Sequence, residues 1–120
     1  MSGRVFTADE ALVGGLIRSV HPGGELLDEA YRLAREIADN TSPVSVALTR
    51  QMLWKMIDAP HPMLAHRLDS AAVYATGRGP DAKEGVTSFL EKRPARYTSR
   101  PSSDMPAFYP WWKNVTYQED

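Results

Sequence analysis

The residues best placed to do chemistry are cationic. Arg78, Lys83, Lys92, Arg93, Arg96 and Arg100 lie close together in the chain. Such a cluster admits two readings. One is an anion site for a phosphorylated ligand, where guanidinium and ammonium groups meet phosphate oxygens. The other is a solvated polar face whose charges compensate a helix dipole. Composition does not choose between them. Other chemistries find less support. His61 and His66 stand five apart, which on a helix puts them on different faces, and His21 lies in a separate turn. With no His-Glu-x-x-His pattern, a metal cluster is not expected. No Gly-x-Ser-x-Gly elbow offers a nucleophile. Gly77-Arg78-Gly79 followed by Gly85 has neither Walker nor dinucleotide spacing, and no strand pattern precedes it. The neighbouring carboxylates Asp9/Glu10 and Asp28/Glu29 fall on polar faces with nothing to raise a pKa, and read as solubilising. No catalytic residue is assigned.

The elements that would position these groups are helical. Thr7, with Glu10 three residues on, predicts a capping box at the start of a helix within residues 4–14, stopped by Gly14 and Gly15. Leu16, Ile17 and Val20 suggest a brief extended segment before the His21-Pro22-Gly23-Gly24 turn. Residues 26–39 carry the clearest helical stripe, from Leu26, Leu27, Ala30, Leu33, Ala34 and Ile37. Ser42 as N-cap and Pro43 at the first helical position open a helix to about residue 58, read as central and well buried. Residues 63–76 form a further helix. Residues 81–93 make a last one, closed at Pro94, with Val86, Phe89 and Leu90 as its inner face. No period-2 alternation is evident, so the fold class is all-α: four to five amphipathic helices with short loops.

The remainder differs. It is rich in Pro and Ser, yet Tyr97, Phe108, Tyr109, Trp111, Trp112 and Tyr117 are six of the chain's eleven aromatic residues. Disordered tails lack aromatics, so this segment is expected to dock, on its own core or on a neighbour. The expected organisation is a helical domain over residues 1–96 and a non-helical aromatic tail over residues 97–120.

A length of 120 residues fits one domain. The net charge of -1 gives no general reason to expect nucleic acid as partner. No apolar run approaches the roughly 20 residues that span a bilayer, so no membrane association is expected. The absence of cysteine excludes disulfides and thiolate chemistry and is compatible with a reducing cytoplasm, the expected location.

Several segments together resemble the carboxy-terminal part of the crotonase superfamily, the enoyl-CoA hydratase/isomerase family. They are S-G-R-V-F-T-A-D-E-A followed by G-L-I-R-S-V-H-P, then L-A-R-E-I-A-D-N-T-S-P-V-S-V-A-L-T-R-Q-M-L, and D-A-K-E-G-V-T-S-F-L-E-K-R-P-A-R-Y. The third is the most specific, with an acidic start, Glu-Gly, an aromatic and Glu-Lys-Arg. D-M-P-A-F-Y-P-W-W is similar to an extension in a bacterial subset.

The resemblance implies a helical end whose larger amino-terminal partner domain supplies the oxyanion hole and the acid/base carboxylates. Thioester hydration or isomerisation needs both. The parent would act on enoyl-CoA thioesters, with coenzyme A as part of the substrate, and this chain alone would be inactive. The helical end would pack subunits into trimers or hexamers and cover the acyl-CoA pocket. Carried over by motif, Phe89 and Lys92 would approach coenzyme A, with a core role for Phe89 as the other reading. The alternative function is a naturally short, non-catalytic helical module for oligomerisation.

Overall fold

The computed structural model describes residues 3–113 and Thr116. Among them are five helices and no strand: α1 (Ala8–Val13), α2 (Leu26–Asn40), α3 (Pro43–Lys55), α4 (Pro62–Gly77) and α5 (Pro80–Glu91). Residues 16–20, expected to be extended, form bends and coil instead. The chain falls into two compact units, Met1–Glu36 and Ile37–Asp120. Tyr117 of the expected tail lies outside the described residues.

In the first unit, α1 starts at the capping box that the sequence predicts. The Thr7 hydroxyl accepts from the Glu10 N–H, and the Glu10 carboxylate accepts from the Thr7 N–H. Arg4 closes on the same carboxylate with both terminal nitrogens, at 2.8 and 3.2 Å. Along α2, Arg32 reaches back to Glu29 and forward to Glu36.

In the second unit, Val44 and Leu48 of α3 and Ala72 of α4 form the buried core. Leu48 is 1% exposed. Three side chains are a small core, and the segment after α5 enlarges it. Met105, Phe108, Tyr109 and Trp111 pack against it. Tyr109, Trp111 and Trp112 meet edge to face, with ring centroids 4.9–5.9 Å apart. Lys55 at the end of α3 lies 5.0 Å from the Trp112 ring centre, a cation–π contact.

Two local features depart from the sequence expectation. Ser42 precedes α3, but its hydroxyl makes no capping bond. It donates to Asp81 at 2.7 Å instead. The fourth helix is opened by His61, whose Nδ1 accepts from the Met63 N–H. A histidine ring thus does the work usually given to Ser or Asp.

The larger departure concerns which faces are buried. No residue of α2 is buried, although its apolar stripe is regular. On α3, Leu53 and Trp54 are exposed, so the helix is less enclosed than its composition suggests. On α5 the expected inner face is turned outward: Val86, Phe89 and Leu90 are 62%, 81% and 72% exposed. The buried residues of α5 are Asp81 and Ser88. Asp81, Glu84, Gly85 and Ser88 follow one another at helical spacing and form the inward face.

Because so few apolar side chains are enclosed, each weighs heavily. Leu48→Ala is expected to cost about 2–5 kcal/mol. Urea unfolding followed by circular dichroism would measure it. A loss below about 1 kcal/mol would mean that Leu48 is not the centre of the core.

Candidate functional site

Helix α5 begins with Gly79 as N-cap and Pro80 at the first turn, and neither supplies a capping side chain. Asp81 in that first turn offsets the helix dipole, as its position suggests, but it does more. Its Oδ1 accepts from the Thr98 and Ser99 N–H groups at 3.0 and 3.2 Å, and its Oδ2 from the Ser42 hydroxyl. Burial acts most strongly on this carboxyl and favours the neutral acid. The donors from Ser42, Thr98 and Ser99 together outweigh burial, and the pKa lies below its ordinary value.

One turn along, Glu84 receives the Arg93 guanidinium as a fork, at 2.5 and 2.9 Å, and the Arg96 N–H at 2.7 Å. Arg93 above all, then the Arg96 N–H, hold the Glu84 pKa down at about 2. Arg93 also contacts Glu91. Gly85 lies under the Tyr97 ring: a Cβ built there would meet the phenolic oxygen at 3.5 Å, an ordinary contact. The Glu-Gly and Lys-Arg pieces of the motif are thus largely explained by structure. They bind the chain after α5 back onto α5.

α5 ends at Glu91, two residues before the expected end. Lys92 takes a left-handed conformation, with φ 52° and ψ 43°. The Arg93 N–H reaches the Ser88 carbonyl and the Lys92 N–H the Phe89 carbonyl, the pairing of a Schellman turn. Lysine thus occupies the position usually given to glycine, at a cost of about 1–2 kcal/mol. Phe89 and Lys92 are both exposed and flank this turn.

The other cations of the sequence cluster are dispersed in role. Arg93 is paired with carboxylates, and Arg78 lies on Tyr74, its guanidinium carbon 5.2 Å from the ring centre. The structure does not gather all six around one point that the described contacts define. His21 meets the Ser19 hydroxyl at 2.6 Å, and His61 is a helix cap. His66 lines an apolar groove of about 470 Å³ with Met52, Leu53, Met56, Ile57 and Asp69. A more polar cavity of about 770 Å³ lies beside Asp81, lined in part by Ser45, Thr76, Tyr97 and Ser99. Among the described residues, no group of three His, Cys, Asp or Glu side chains could hold a metal. No helix among them is long and apolar enough to cross a membrane.

These helices have counterparts. In fold, the chain resembles a crystal structure of a "probable enoyl-CoA hydratase/isomerase" from Mycobacterium abscessus, with a TM-score of 0.74 and 31% identity, over 82% of this chain and 38% of that one. The class is therefore crotonase-type. The enoyl-CoA hydratase/isomerase family model matches residues 1–100, and the chain belongs to that family. Enoyl-CoA hydratase ACTT3 of Alternaria alternata is 39% identical over 97 residues, covering 80% of this chain and 32% of its own length. Enoyl-CoA hydratase domain-containing protein 3, mitochondrial, of Homo sapiens is 36% identical over 101 residues, covering 83% and 32%. The chain spans roughly a third of the length of the curated relatives it matches.

The Glu84–Arg93 pair sets a pH dependence. Its carboxyl is held down at about 2 in the folded chain, against an ordinary value of 4.5. The stabilisation is complete above the higher value and is lost as pH falls toward the lower. Glu84→Gln is expected to melt below the native chain near neutral pH, with the deficit narrowing between pH about 4.5 and about 2. Thermal unfolding across that range checks this. A deficit independent of pH would assign the effect to packing rather than charge.

Proposed function

We propose that this chain is the carboxy-terminal helical part of an enoyl-CoA hydratase/isomerase, contributing to subunit assembly and to covering the acyl-CoA pocket. The observation that carries the assembly reading is the outward apolar face of α5, Val86, Phe89 and Leu90, together with a regular α2 stripe of which no residue is buried. Exposed apolar area on this scale marks surfaces that meet other protein. The chain's coverage of a third of its relatives supports the reading as part of a larger enzyme. That enzyme would hydrate or isomerise enoyl-CoA thioesters in the cytoplasm, as a homo-oligomer. Its acid/base and oxyanion groups would lie outside these 120 residues, so this chain alone turns over no enoyl-CoA.

In the same reading Phe89 and Lys92 face coenzyme A. The physical support is the pairing of an exposed aromatic ring with a cation at one helix end. A ring can stack on adenine, and an ammonium group can meet a phosphate as a point charge. The left-handed conformation of Lys92 is a further support, since strained backbone concentrates at sites with a task.

Sedimentation velocity on the purified chain is expected to show self-association that rises with concentration. A monomer at high concentration would remove the assembly reading. Turnover of a short enoyl-CoA by the chain would overturn its inactivity. For coenzyme A, Lys92→Gly separates the roles. Glycine suits the left-handed turn, so the variant should gain about 1 kcal/mol in stability. Its affinity for coenzyme A in calorimetry should fall several-fold with the lost charge. Equal affinity in native and variant chains, or no heat from the native chain, would exclude Lys92 as a contact.

A further inference from the structure

The segment after α5 has two anchor groups on one helix face and a load of aromatic rings beyond them. Beyond Arg93, whose N–H still reaches the Ser88 carbonyl, residues 94–99 are irregular, so their N–H groups lack the bonds a helix would give them. Asp81 and Glu84, three residues apart on the inward face of α5, take three of them, from Arg96, Thr98 and Ser99. Glu84 also takes the Arg93 side chain. Farther along, Met105, Phe108, Tyr109 and Trp111 lie on Val44, Leu48 and Ala72. Contacts from this segment to the helices are thus polar at α5 and mainly apolar at α3 and α4, where Lys55 of α3 also lies over the Trp112 ring. Between the two runs a turn closed within the segment itself, where Asp104 accepts from the Arg100 N–H at 2.7 Å.

We propose that residues 93–113 form a detachable strap, latched on α5 by Asp81 and Glu84, which opens as one unit while the helices beneath it stay folded and so uncovers the Val44–Leu48–Ala72 surface. The inference rests on three features. The strap has no helix or strand of its own, so its order derives from contacts it can lose. Its latch groups are carboxylates on one helix face, so releasing them breaks several bonds together. Its aromatic part carries a mismatch that lowers the cost of leaving: the Trp111 indole N–H is buried and meets no acceptor among the described residues. In water that donor regains a partner.

The sequence provides a clean reporter. Arg93 and Arg100 are each followed by proline, which resists trypsin, whereas Arg96 is followed by Tyr97. Limited trypsin digestion of the full chain would be compared for the native protein and Asp81→Ala. Loss of charge-assisted bonds should raise cleavage after Arg96 about tenfold or more. Cleavage after Arg50 in α3 and Arg67 in α4, and the helical circular dichroism, should stay unchanged. An unchanged rate at Arg96, or a parallel rise at all three sites, would overturn the proposal. If Asp81→Ala fails to fold, hydrogen exchange on the native chain decides. The amides of Arg96, Thr98 and Ser99 should exchange together, at least about tenfold faster than those of Leu48 and Ala72. Exchange of all five at one common rate would show that the strap and helices open only together.

Discussion

The second unit depends on a pair of carboxylates that accept hydrogen bonds from irregular backbone. A chain that leaves a helix without entering another element must satisfy its N–H groups, because a buried orphan costs about 1–3 kcal/mol. Asp81 and Glu84 provide the acceptors for Arg96, Thr98 and Ser99. Bonds to charged acceptors are the stronger kind. For Asp81 they must first offset the cost of burying a charge, which its lowered pKa shows they do.

This requirement explains the orientation of α5. A helix with one polar and one apolar face ordinarily turns the apolar face inward. Here the acceptors needed by the strap stand on the polar face, and the polar face is turned in. The cost is exposure of Val86, Phe89 and Leu90. The return is a strap that lays Met105, Phe108, Tyr109 and Trp111 across Val44, Leu48 and Ala72. Ser42 shows the same priority. Its hydroxyl leaves its own helix uncapped and goes to Asp81, joining the start of α3 to the start of α5.

Local signals in the sequence located the helices because their causes are local. Thr7 and Glu10 lie three residues apart, and the box they form needs no other partner. Pro43 opens α3 as its fixed φ dictates. What periodicity supplies is the existence of a stripe, not the side on which the protein lies. Nothing near Asp81 in the sequence announces that its partners are Ser42, Thr98 and Ser99, far away along the chain. The His61 cap was hidden for a different reason: imidazole is an uncommon capping acceptor, and Pro60 and Pro62 draw the eye as breakers. Lys92 at a left-handed position carries no signal, because the residue expected there is glycine. Of the candidate site, the motif drew attention to the correct helix end, but its Glu84, Gly85 and Arg93 are used to hold the strap.

That division of labour bears on Phe89 and Lys92. The Schellman turn reverses the chain at Lys92 and delivers Arg93 to Glu84 in the next residue. Lys92 is therefore held between a helix end and a paired guanidinium, and its strained backbone is maintained by bonds on both sides. Phe89 is tied into the same turn through its carbonyl, which accepts from the Lys92 N–H. The turn thus holds the backbone from which the ring and the ammonium group project. The latch on α5 thus has a second consequence besides covering the core. By pairing with Arg93, Glu84 ties the start of the strap to the turn that carries Lys92.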